Sequence, residues 1–125
     1  MLGKTNPFEE KRVKEGEVEA KILEYLNKKV GGLWWKNYST GIYDPVAQRY
    51  RPITSMKGVS DILGVVDGVF VAIEVKSPHN KKRPEHQQEF IDKVVSVGGV
   101  AFFCDSVDTL EEELVSFGFE VQVDE

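Results

Sequence analysis

Apolar residues after Glu15 fall at Val18, Ile22, Leu23, Tyr25, Leu26 and Val30, close to the recurrence of a helix with one buried face. That predicts a helix over Glu15 to Lys29, and Gly31-Gly32 supplies its stop. Leu33, Trp34 and Trp35 can open a strand. From Lys36 to Lys57 the period is lost in a polar stretch broken by Gly41, Pro45 and Pro52, a length that is usually functional or mobile. Val59 to Val66 and Val69 to Lys76 are β-branched runs joined by Asp67-Gly68, which predicts an antiparallel hairpin. Pro84 to Val97 reads as a second helix with Pro in its first turn, stopped by Gly98-Gly99. Val100 to Cys104 is a third strong strand. Asp105 or Ser106 can cap a short helix reaching Phe117, and Phe119 to Val123 suits a final strand.

The predicted order is helix, three strands, helix, strand, helix. A strand-helix-strand crossover joins the hairpin to Val100–Cys104, so those strands pair in parallel and the sheet is mixed, with helices on its faces. The class is α/β. At 125 residues the chain suits one domain, assigned to 15–125 with residues 1–14 as an N-terminal extension.

Composition narrows the partners. A content of 41% hydrophobic and 30% charged residues belongs to globular proteins. The sequence shows no membrane-length apolar run and no basic-then-apolar leader, which leads to an expectation of an intracellular, cytoplasmic protein. The single cysteine, Cys104, sits in an apolar run and is expected to be a buried strand residue. The net charge of -5 argues against a polyanionic partner, yet the charge is uneven. Between Arg49 and Arg83 seven basic residues face three acids, while from Asp105 onward there are eight acids and no Lys or Arg. A polyanion would be met on the first segment and repelled by the second.

The chemistry concentrates in GVSDILGVVDGVFVAIEVKS, residues 58 to 77. A strand alternates its side chains, so Glu74 and Lys76 share one face and Val71, Ile73 and Val75 the other. Burying such charges is costly unless they are paired, bound to metal or put to use. Pairing centred on Asp67-Gly68 sets Asp61 opposite Glu74, with Cβ atoms about 5 Å apart. Two carboxylates that close repel unless a proton or a cation intervenes. Hard oxygen ligands without a His or Cys cluster suit Mg²⁺ or Mn²⁺. Beside them, the Lys76 ammonium can orient an attacking water and stabilise charge on a pentacovalent phosphorus. Glu15 and Glu19, four apart on the first helix, each offer a third acid.

These residues, read with FVAIEVKSP and RPEHQQEFIDKVVSVGG, resemble the VRR-NUC branch of the PD-(D/E)XK nucleases from about Glu15 to Leu114. Gly58, Asp61, Glu74, Lys76, Gln87 and Gly98-Gly99 fall in the family's order. Ser60 stands where the superfamily motif has Pro. The resemblance implies a restriction-endonuclease-like mixed sheet and metal-dependent hydrolysis of DNA phosphodiesters. Asp61 and Glu74 would be metal ligands, Val75 would lend its carbonyl, Lys76 would be the catalytic lysine, and Gln87 the glutamine of the following helix, with Gln88 the alternative. Glu19 matches the helix acid of archaeal junction resolvases and Glu15 that of many VRR-NUC proteins. Small stand-alone members, many from phages, resemble homodimeric resolvases of branched DNA. A Holliday junction is therefore the leading substrate expectation, in a host cytoplasm if the chain is viral.

Lys36, Arg49, Arg51, Lys57, Lys81, Lys82 and Arg83 are the expected DNA-binding residues. Trp34, Trp35, Tyr38, Tyr43 and Tyr50 could line the DNA path and stack on unpaired bases, the alternative being that both tryptophans are core. The rivals are a non-specific or nicking nuclease of the same fold and a catalytically silent DNA-binding module. A His-metal nuclease built on His79, Asn80 and His86 is disfavoured, because these read as exposed loop and helix residues.

Overall fold

The structure is a computed structural model that describes residues 7–37, 42–51 and 56–122, with the backbone alone at 7–14, 42 and 51. Helix α1 (Pro7–Tyr25) runs into one wide π turn (Leu26–Val30), closed by the Gly31 amide on the Leu26 carbonyl at 3.0 Å. Strands follow as β1 (Leu33–Lys36), β2 (Ile42–Asp44), β3 (Arg49–Arg51), β4 (Ile62–Val66) and β5 (Val69–Val75). Helix α2 (Glu85–Ser96), β6 (Val100–Cys104) and α3 (Val107–Ser116) complete the chain. Among the described residues no helix is long and apolar enough to cross a membrane.

The main sheet has the order β1-β4-β5-β6. β4 and β5 pair antiparallel from Ile62 opposite Ile73 to Val66 opposite Val69, the register expected from the Asp67-Gly68 turn. The crossover through α2 makes β5 and β6 parallel, with Glu74 beside Phe103. One sheet face, bearing Ile62, Val71, Ile73 and Val75, closes on Ile22 and Leu26 of the first helical segment and on Leu110 and Leu114 of α3. The other bears Ala72, Ala101 and Phe103 and meets Ile91 and Val94 of α2. Ser106 caps α3, its Oγ accepting from the Thr109 amide at 3.1 Å. The mixed α/β architecture is as expected.

Several elements differ from the sequence reading. Helix α1 begins at Pro7, inside the segment read as an extension. The stretch from Lys36 to Lys57 holds a small separate hairpin, β2–β3. Its turn is built by Asp44, whose Oδ1 accepts from the amides of Val46 and Ala47. This side-chain turn needs no Asn-Gly or Asp-Gly pair, which is why the pattern hid it. β4 starts at Ile62 rather than Val59 because the chain first passes under α2. Gly58, at φ 76°, lies so close that a Cβ there would collide with the His86 carbonyl.

No strand forms at residues 119–122, and Val123 lies outside the described residues. Phe119 and Val121 pack against the core, and the Gln122 amide donates to the Lys29 carbonyl at 2.8 Å. The alternation there reflects one side lying on the end of the first helix, not a sheet partner. Trp34 also departs from a DNA-facing role. It is buried, its Nε1 donates to the Gly31 carbonyl, and its ring occupies the space that a side chain at Gly64 would need.

Candidate active site

Asp61 stands one residue before β4, so the register that pairs Ile62 with Ile73 carries it opposite Glu74. Two backbone contacts hold it there. Its Oδ2 accepts from the Val75 amide at 2.9 Å, and its own carbonyl accepts from the Asn37 amide at 2.7 Å. Asp61 is thus clamped between the end of β1 and the end of β5, beside Glu74.

Glu74 is 3% exposed, and its Oε2 is buried without a hydrogen-bond partner. Burial, then the charge of Asp61 and a hydrogen bond with it, push its carboxyl up to about 9. Lys76 opposes that rise and Glu15 adds to it. Lys76 is 7% exposed and donates through Nζ to Gln87 Oε1 at 2.6 Å. Its amide continues the parallel ladder onto the Cys104 carbonyl at 2.7 Å, fixing where the ammonium leaves the sheet. Gln87 lies in the first turn of α2, the turn that Gly58 admits. The two neighbouring glutamines separate cleanly, since Gln88 turns away to Asp92 Oδ1 at 2.9 Å.

The helix acids differ in their surroundings. The charge of Glu15 is felt at Glu74, whereas Glu19 pairs with Lys36 across to β1 at 2.9 Å. Among the described residues no three His, Cys, Asp or Glu side chains gather as a metal cluster. The donor set is instead two adjacent carboxylates with one orphaned oxygen. That suits a hard dication, which takes one or two carboxylates and fills its shell with water and phosphate oxygens.

No protein-family model and no curated protein matches the chain. Solved structures do match. One, described as a VRR_NUC domain, superposes with a TM-score of 0.61 at 25% identity, covering 85% of this chain and 98% of its own. The chain folds like a VRR-NUC domain.

Around the core of this VRR-NUC fold, the basic residues singled out from the sequence have different settings. Arg49 is exposed on β3, near Tyr43 and Tyr50, which are half or more exposed and meet edge to face at 5.2 Å. Trp35 is exposed, while Tyr38 and the Arg51 side chain lie outside the described residues. Lys57 and Lys82 are exposed. Lys36 is tied to Glu19, and Lys81 to Asp105 Oδ2 at 3.2 Å. Burial pushes the Asp105 carboxyl up, but hydrogen bonds from Lys81 and Thr109 outweigh it and leave the group below the usual carboxylate range. Arg83 lies over the Phe103 ring, 4.4 Å from its centre, and Lys76 Nζ is 5.7 Å from the same ring. His79 and His86 are both exposed.

Sequence reasoning missed Phe103, Asp105 and Thr109, which join Lys76, Lys81 and Arg83 around a cavity of about 230 Å³. The parallel register was the available signal, because it sets Phe103 beside Glu74.

Proposed function

We propose that this chain is a divalent-metal-dependent DNA endonuclease, selective for branched DNA and foremost for the Holliday junction. The observation that carries the reading is Asp61 set against a buried Glu74, with Lys76 held beside them by Gln87. The VRR-NUC-like fold supports the same reaction class.

Asp61, Glu74 and the Val75 carbonyl would hold Mg²⁺ or Mn²⁺, and Glu15 is the helix acid whose charge is felt at Glu74. When bound, the dication supplies charge neutralisation and Lewis acidity at the phosphate. The protein's own groups supply the rest. Lys76 presents a positive charge to the oxygens that gain charge as the phosphorus becomes pentacovalent, and Gln87 fixes the ammonium for that task. The Val75 amide keeps Asp61 from swinging away when the carboxylates are both charged. Lys76 and the carboxylate pair would orient the attacking water between them. DNA is gripped by Arg49, Lys57, Lys81, Lys82 and Arg83, with Tyr43, Tyr50 and Trp35 available for stacking at unpaired bases. A homodimer would match the two-fold symmetry of a four-way junction. The cytoplasm is the expected compartment, that of the host if the protein is viral.

The test is cleavage of matched four-way junction, flap and linear duplex DNA with Mg²⁺ or Mn²⁺, run beside Lys76→Ala. Paired symmetric nicks in the junction, lost in the variant, are the expected result. Equal cutting of all three DNAs would leave a nuclease without structure selectivity. DNA binding without any cutting would replace the enzyme with a binding module.

A further inference from the structure

We propose that the cavity beside Lys76 is a phosphate subsite, in which Arg83 and Lys81 hold a backbone phosphate neighbouring the one that is cut. The proposal rests on the nuclease reading and names how that site takes its substrate.

The cavity measures about 230 Å³ and is lined by Lys76, Lys81, Arg83, Phe103, Asp105 and Thr109. It is smaller than the pockets that enclose whole small-molecule ligands, which start at about 300 Å³, and it suits one group of a longer chain. Its lining sets three cations against one carboxylate, and that carboxylate is already engaged by Lys81 and Thr109. Such a cluster repels itself until an anion enters.

Arg83 is the decisive group. Its guanidinium carbon lies over Phe103, 4.4 Å from the ring centre, a cation–π contact that favours this position of the side chain. The N–H donors of a guanidinium point outward within its plane. Among the described residues they have no acidic partner and no hydrogen bond. A guanidinium fork placed over the ring with its donors unspent can meet the paired oxygens of a phosphate. Phe103 is also within cation–π distance of Lys76, so the subsite adjoins the reacting phosphate. Asp105 holds Lys81 at the rim, where it completes the cradle. Thr109 lines the cavity with a hydroxyl that donates to Asp105 at 3.1 Å, so that carboxylate is already engaged.

The experiment is a scan of single methylphosphonate linkages, which are neutral, across the positions flanking the cleavage point. Cleavage with Mn²⁺ is read as kcat/KM for wild type, Arg83→Gln and Arg83→Lys. At one linkage the neutral substitution should cost wild type about tenfold. Arg83→Gln should cost about tenfold on ordinary DNA, and at that linkage the two losses should not multiply. Arg83→Lys, which keeps the charge but not the fork, should fall between. Arg83 is exposed, so unchanged melting of both variants is expected. Losses that multiply at every linkage, in an enzyme that does cut DNA, would overturn the subsite alone. A wild-type protein that cuts no DNA would overturn the nuclease reading and the subsite with it.

Discussion

On one face of β5, Val71, Ile73 and Val75 are wholly buried among apolar side chains that include those of α3, whereas on the other Ala72 and Glu74, with Lys76 just past the strand's end, are buried almost as completely on the side of α2. Alternation along a single strand therefore produces two interiors of opposite character. The first is stabilising, since each large apolar side chain removed from water contributes about 1.5–3 kcal/mol. The second holds a carboxylate with an orphaned oxygen and an ammonium, which cost free energy to bury. What separates them is the partner helix: α2 approaches with Gln87 at its first turn and turns its apolar residues Ile91 and Val94 to the far end of the strand. The candidate site lies at the end of the face where burial is not offset by packing.

That contrast can be broken from either side. Ile73→Ala should have the largest effect on stability, a loss of about 2–5 kcal/mol in denaturant melts, because it opens a cavity in the wholly apolar face. Its cleavage rate per folded molecule should stay near that of wild type.

On the charged face the sign should reverse. Glu74 in the metal-free protein has its carboxyl raised from 4.5 to about 9. A group raised in this way contributes stability that is fully present below its unfolded value and is lost as pH climbs through the folded value. Metal-free wild type should therefore lose stability between about pH 4.5 and pH 9 through this residue. Glu74→Gln should melt higher than wild type at pH 8, by about 1–4 kcal/mol, with the gap closing below pH 5. A Mn²⁺ titration should raise the melting temperature of wild type and not of the variant.

The smallest expected effect sharpens the comparison within α2 itself. Gln87→Ala should slow cleavage about tenfold through the loosened Lys76 ammonium, with melting little changed. Gln88→Ala, which loses only an exposed contact with Asp92, should cleave as wild type does.

The placement of Asp61, Glu74 and Lys76 was legible in the letters because it depends on local rules. Asp67-Gly68 sets the register, the register places Asp61 opposite Glu74, and period-two alternation puts Lys76 on the same side. Gln87 followed from motif spacing rather than physics, and the structure separates it from Gln88. The parts that escaped depend on contacts between distant segments. Glu19 is drawn to Lys36 by the way β1 lies beside α1, and Arg83 finds Phe103 only after the α2 crossover has brought β6 next to β5. The β2–β3 hairpin escaped because its strands are three residues long and its turn rests on one aspartate side chain. Trp34 was undecided until the space left by Gly64 on the neighbouring strand was known.

The measurement that tests the central claim most directly is single-turnover DNA cleavage by wild type, Asp61→Asn and Lys76→Met, with Mn²⁺ and with chelator, on proteins shown to melt normally. Cleavage by wild type only with metal, and a loss of about a thousandfold or more in both variants, is the result expected of a carboxylate pair and ammonium acting together. A metal-dependent wild-type rate retained by either variant would contradict it.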